Sequence, residues 1–188
     1  MSPAQSKTIA LLIATLSSLA LVVPLRAENA VPPEKNPPGD IPDSQVFVDY
    51  SGPGFTMKVP EGWSRVDETG GAKFSDKYNI IDVTTSDAAT APTIAAVTIG
   101  VAADLSKSGH AVKVTSVKEV KLDGGKAVRI DYAANSAPNA VTNKPIRLED
   151  VRFLLFKGGK LVSLDMAAPF GADNVDQWNL MANSVRIQ

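Results

Sequence analysis

Residues 146–157 and 160–167 are two runs rich in large apolar side chains, separated by Gly158-Gly159, and no other stretch limits the fold as strongly. A Gly-Gly pair supplies the positive-φ backbone that a tight two-residue hairpin turn needs. In the first run Phe153 and Leu155 alternate with Leu154 and Phe156, so both faces of that strand are apolar. Both faces therefore need cover, which a sheet with one wet side does not provide. The last twenty residues offer one cover. After Pro169 and Gly171, Asp173 is placed to cap a helix whose Val175, Trp178, Met181, Ala182 and Val185 recur at helical spacing, with Asp176, Gln177 and Asn183 turned away.

The period of two begins earlier, at Val46. Phe55, Met57 and Val59 alternate with Thr56 and Lys58, and Pro60-Glu61-Gly62 turns the chain into Trp63, a hairpin-like start. Further strands are expected at 72–75, 78–85 and 93–101, the last with Val97, Ile99 and Val101 on one face. Residues 112–122 are also β-branched, but their apolar parity shifts between Val114 and Val117, which predicts a bulge. Asp123-Gly124-Gly125 then turns the chain into a strand carrying Val128, Ile130 and Tyr132 on one face, with Arg129 and Asp131 on the other. One antiparallel sheet flanked by helices, an α+β fold, is the minimal architecture for residues 46–188.

The residues before that domain differ in kind. Residues 8–25 form an apolar run without a charge, preceded by Lys7, broken by Pro24 and followed by Leu25-Arg26-Ala27, the pattern of an export signal with a cleavage site. Residues 1–27 are expected to be a signal peptide or a retained signal-anchor helix, since 18 apolar residues approach the roughly 20 that span a bilayer. Residues 28–45 hold Pro32, Pro33, Pro37, Pro38 and Pro42 and almost no large apolar residue, and read as a disordered linker, either a spacer or a solvated leader. The expected location is extracytoplasmic: periplasmic, cell-envelope or secreted, tethered by an N-terminal helix if residues 1–27 stay attached. There is no cysteine, which excludes disulfides and a lipidated N-terminal cysteine.

Charge narrows the partners. The 19 basic and 20 acidic residues give −1, and cleavage after Ala27 removes Lys7 and Arg26 but no acid, leaving −3. A nucleic-acid binder is expected to carry a basic stripe, and a polybasic membrane binder a Lys/Arg cluster. This chain has neither, so membrane contact is expected only through residues 8–25, if uncleaved.

The residues that could carry chemistry are few. His110 is the single histidine and lies in Ser106-Lys107-Ser108-Gly109-His110, a small polar loop with hydroxyls but no nucleophile elbow; it reads as an exposed loop histidine. Asp173 and Asp176 sit where a helix dipole favours carboxylates. No metal-ligand spacing and no phosphate loop is present, and Gly70-Gly71, Gly124-Gly125 and Gly158-Gly159 read as turns. Glu149, Asp150, Arg152, Arg129 and Asp131 place both signs on neighbouring strands, read as solvated cross-strand ion pairs rather than a recognition patch. Trp63 and Trp178 read as core anchors. No catalytic, cofactor or metal residue is assigned, no enzyme activity is expected, and no binding surface is singled out.

Several local patterns occur in the order of a known family. Phe47-Val48-Asp49-Tyr50, Gly54-Phe55-Thr56 and Val59-Pro60-Glu61-Gly62-Trp63 resemble the opening of Mog1/PsbP-like proteins, and residues 126–132 resemble the family's central strand after a Gly turn. Gly159-Lys160-Leu161-Val162, Trp178 in a terminal helix and Asn183-Ser184-Val185-Arg186 are similar to its ending, and residues 168–174 look like exported actinobacterial members. The resemblance spans about residues 46–188. It implies an antiparallel sheet in an α/β/α sandwich and a function in binding rather than chemistry. With His110 alone, no histidine-based metal or docking role of plant members is carried over, and residues 102–109 leave room for a short helix only.

The expected function is therefore a non-enzymatic, exported bacterial accessory or adaptor domain that docks onto a membrane or cell-envelope protein complex. A small-ligand or lipid carrier is the alternative, and it requires a pocket of about 300 Å3 or more. A hydrolase using His110 as base stands behind both.

Overall fold

The computed structural model describes residues 28–188. The expected signal peptide or anchor at 1–27 lies outside the described residues.

Among the described residues ten strands and three helices follow in the order β1 (Phe47–Gly52), β2 (Phe55–Pro60), β3 (Ser64–Glu68), β4 (Gly71–Asp76), β5 (Asn79–Asp87), α1 (Ile94–Ile99), α2 (Val101–Lys107), β6 (Lys113–Leu122), β7 (Gly125–Asn135), β8 (Arg147–Lys157), β9 (Lys160–Pro169), α3 (Val175–Ser184) and β10 (Arg186–Ile187). They form two antiparallel sheets. The larger has the order β3-β4-β5-β9-β8-β7-β6, and the smaller the order β1-β2-β10. The fold is α+β, with helices on both sides of the large sheet, but the single sheet expected is divided in two. Pro60-Glu61-Gly62 explains the division: it does not close a hairpin but carries the chain from β2 in the small sheet to β3, which pairs only with β4.

The Gly158-Gly159 hairpin forms as expected, with both glycines at positive φ and Lys157 opposite Lys160. Its first strand, β8, is covered on both faces. Phe153 and Leu155 enter the main core with Phe55, Met57, Trp178, Met181 and Val185, contributed by the small sheet, α3 and the turn after it. Leu154 enters a second cluster with Val97, Ala102, Val128 and Ile130, beneath α1 and α2. Two different elements thus cover the two faces, where α3 alone was expected. Burying side chains such as Phe55, Met57 and Phe153 contributes about 1.5–3 kcal/mol each.

The largest departure lies at residues 93–101, expected as a strand and observed as α1 and the start of α2. Val97, Val101 and Leu105 are four apart and pack together in the second cluster, whereas Ile99 is 81% exposed. The Thr93 hydroxyl accepts a hydrogen bond from Ala96 N at 3.2 Å, capping α1. Alanines 95, 96, 102 and 103 add helix propensity that the β-branched neighbours hide. The bulge expected near Val114 is present as a register shift between Val114 and Ser116.

Residues 28–45 are not a disordered linker. They lie along the domain as a strap held by buried asparagines. The Asn174 side chain accepts from Ile41 N at 2.6 Å and donates to Gly39 O at 2.9 Å, and Asn79 donates to the same carbonyl at 2.9 Å. Asn135 accepts from Val31 N at 3.1 Å and donates to Glu28 Oε1 at 2.7 Å. Ile41, 3% exposed, joins the main core. The prolines keep the strap extended, and side chains supply the hydrogen bonds its backbone cannot find in a sheet. At the C-terminal helix the N-cap is Asn174 rather than Asp173, and its side chain is turned onto the strap. Gln177, expected to face solvent, is buried and donates to Asp43 Oδ1 at 3.2 Å.

Candidate functional site

The large sheet presents different chemistry on its two faces, and the five charged residues noted on β7 and β8 are divided between them. Arg129, Asp131 and Glu149 share one face with Val151 and Phe153, while Asp150 and Arg152 point to the other beside Tyr132 and Ile130. No single patch forms. Nor are the pairs freely solvated, because each face is partly roofed by helices. Arg129 Nε donates to Asp131 Oδ1 at 2.6 Å, and Lys118 Nζ lies 3.0 Å from Asp131 Oδ2. Burial pushes the Asp131 carboxyl up, but the hydrogen bonds from Lys118 and Arg129 outweigh it and hold the group below its ordinary range.

A cleft of about 540 Å3 opens on this face, between β7–β8 and the start of α3. Val151, Phe153 and Trp178 form its apolar floor, Arg129 and Asp131 one wall, and Glu149 and Asp173 the other. The Arg129 guanidinium stands 5.4 Å from the centre of the Phe153 ring. Glu149 Oε1 accepts from Gly171 N at 3.1 Å, and its carboxyl is raised by burial in spite of that bond. Phe170 and Val175, 41% and 59% exposed, extend the apolar surface to the rim. Trp178 is a core anchor as expected and also a cleft residue. Trp63 is only partly buried, packed on the edge of the main core.

The opposite face carries a polar network that the sequence reading missed. Lys73, Asp82, Asp165 and Arg152 are register neighbours across four strands. Arg152 Nε donates to Asp165 Oδ2 at 2.8 Å, its Nη2 also contacts that oxygen, and the Tyr132 hydroxyl donates to Asp165 Oδ1 at 2.8 Å. Asp150 lies beside this network with its Oδ2 buried and unpartnered, and burial, then the Asp165 charge, push its carboxyl up to about 8. Burial also raises Asp82, with Glu68 and Asp165 adding to the effect, and burial raises the Tyr132 hydroxyl. A cavity of about 340 Å3 lies over the network, walled by Ile80, Leu105, Leu148 and the loop bearing His110. The available signal was parity: Asp82 and Asp165 each interrupt a strand of largely apolar residues on the same face.

His110 sits exposed in that loop at φ 52°, with Nδ1 3.5 Å from Glu28 Oε2. Its neighbouring hydroxyls are engaged by α2: Ser106 donates to Ala102 O at 2.9 Å and Ser108 to Leu105 O at 2.7 Å. Asp173 and Asp176 are exposed at the start of α3. Among the described residues no three His, Asp or Glu side chains converge as metal ligands, and no helix is long and apolar enough to cross a membrane.

With this geometry in hand, the chain can be set against known proteins. No family model matches it, and no curated protein matches its sequence. Solved structures do. The solution structure of cyanobacterial PsbP (CyanoP) from Synechocystis sp. PCC 6803 superposes with a TM-score of 0.54 at 16% identity, covering 80% of this chain and 98% of that one. The chain has a PsbP-like fold. A further structure, LpqN involved in cell envelope biogenesis of Mycobacterium tuberculosis, matches at a TM-score of 0.47 and 15% identity over 77% of this chain and 91% of that chain. The PsbP-like fold agrees with the Mog1/PsbP-like resemblance and with its sheet-and-helix layering. At such identity the likeness speaks for the fold alone.

Proposed function

We propose that this chain is a non-enzymatic accessory domain on the extracytoplasmic side of the membrane, which docks onto a membrane or cell-envelope protein complex through the cleft beside α3. One observation carries the proposal: the apolar floor of that cleft continues outward onto Phe170 and Val175, which stay exposed beside a polar rim. Large apolar side chains left open around a concave site mark a contact surface. The PsbP-like fold and the uncharged run at residues 8–25 agree with this placement.

The test is crosslinking in native membranes followed by affinity purification of the full chain and of the F170A/V175D variant. Both positions are exposed, so the variant retains the fold. The proposal expects one membrane or envelope protein enriched with the wild-type chain and lost with the variant; equal enrichment with both, or none with either, rejects it.

The cavity of about 340 Å3 favours a second reading, a small-ligand carrier, because it exceeds the volume such a function needs and holds an unpartnered carboxyl at its edge. Native mass spectrometry of the full chain, showing a bound small molecule that D150N or L105W loses, supports that reading. Finding each of the three at the mass of its bare chain rejects it.

A further inference from the structure

The cleft beside α3 has walls of unequal charge. On the β7 side the two cations, Arg129 and Lys118, are both drawn onto Asp131. On the α3 side Glu149 and Asp173 line the cleft; Asp176 follows in the first turn of α3, and Asp40 of the strap lies beside Asp173, its Oδ1 accepting from Asp173 N at 2.9 Å. Among the described residues none of these four carboxylates has a Lys or Arg within ion-pairing distance, although six Lys or Arg pairs with carboxylates form away from the cleft.

The dipole of α3 accounts for Asp173 and Asp176. It does not account for Glu149, which comes from β8, or for Asp40, brought there from 133 residues away in sequence. Like charges gathered at one rim repel each other, and an approaching cation relieves that repulsion. Beneath the rim is an apolar floor with room for one or two side chains rather than a whole helix.

We infer that this cleft receives a basic, apolar peptide segment of a protein partner, with a Lys or Arg side chain against Glu149 and Asp173 and a neighbouring aliphatic or aromatic side chain on Phe153 and Trp178. The inference rests on the reading of this cleft as the docking surface and adds the chemistry of what docks. Charge complementarity of this kind sets the encounter rate and the choice of partner.

The test uses the full chain in non-ionic detergent and two fluorescent peptides, Lys-Phe-Lys-Leu-Lys and Glu-Phe-Glu-Leu-Glu, followed by anisotropy. The basic peptide is expected to bind at least about tenfold more tightly than the acidic one, and to weaken by about tenfold between roughly 50 and 300 mM salt. E149Q/D173N is expected to lose about tenfold for the basic peptide, while the remote exposed D49N/D87N loses nothing. Equal binding of the two peptides, unchanged affinity in E149Q/D173N, or no binding of the basic peptide overturns the inference. The outcome is separable from that of the docking proposal. A membrane partner captured through an acidic segment, and lost in F170A/V175D, rejects the basic-peptide inference and leaves docking standing.

Discussion

Asp150 is the residue at which this fold departs furthest from electrostatic ease. Its Oδ2 is buried without a partner, and burial with the Asp165 charge moves its pKa up to about 8. A carboxyl raised in the folded state holds its proton where the unfolded chain has lost it. Stability therefore falls as pH rises from the unfolded value near 4 through about 8, and levels off above. Asp82 and Glu149, also raised, act in the same direction. D150N keeps the shape and removes the charge, so at pH ~9 it is expected to be more stable than wild type by about 1–3 kcal/mol, with a flatter limb between pH ~6 and ~9. Melting curves across that range check this, and parallel curves for the two proteins contradict it. Arg152 has the opposite role. Burial lowers its pKa, but the Asp165 carboxylate outweighs that and raises it. R152M leaves Asp165 without its paired cation and removes a positive charge that also acts on Asp82 and Asp150, and is expected to cost about 2–4 kcal/mol at pH ~8, less at pH ~5. Urea titrations at both pH values measure the difference; an equal cost at each would show that lost packing, rather than charge, is responsible.

Among the elements, the strands and hairpins were legible because period-two alternation and Gly turns act locally. The Gly158-Gly159 hairpin, the bulge beside Val114 and the buried Trp178, Met181 and Ala182 of α3 all follow from neighbours within a dozen residues, whereas Val175, expected in that stripe, is exposed. Residues 93–101 misled because Val97, Ile99 and Val101 fit a strand face, while Val97, Val101 and Leu105 fit a helix equally well; packing against Val128 and Leu154 decided between them. The strap misled for a different reason. Its composition is that of disorder, and its order comes from Asn79, Asn135 and Asn174, polar residues distant in sequence. The two clefts were illegible for a related reason, since each is assembled from several strands and a helix or loop. Asn174 offers the sharpest test at this scale: N174A leaves the buried Ile41 N without its acceptor and Gly39 O with Asn79 alone, and is expected to cost about 1–3 kcal/mol. Denaturant midpoints give the cost, and faster proteolysis within residues 28–45 locates it; unchanged values on both counts would mean that Asn174 does not hold the strap. Gly124 tests a tighter junction. A Cβ there runs into the Val185 carbonyl, so G124A is expected to cost about 1–3 kcal/mol by pressing the β6–β7 turn against the end of α3.

For the whole molecule, the bound strap changes what residues 28–45 do mechanically. Free in solution, 18 such residues would let the domain wander on the order of 20–25 Å from whatever precedes them. Laid against Asn135, Asn174 and Ile41, they provide no leash at all. Anything joined ahead of Glu28 therefore meets the domain at its Asn135 end and not through an 18-residue leash. Such a domain searches a thin shell instead of a sphere, which concentrates it on partners within that shell and hides it from those further out.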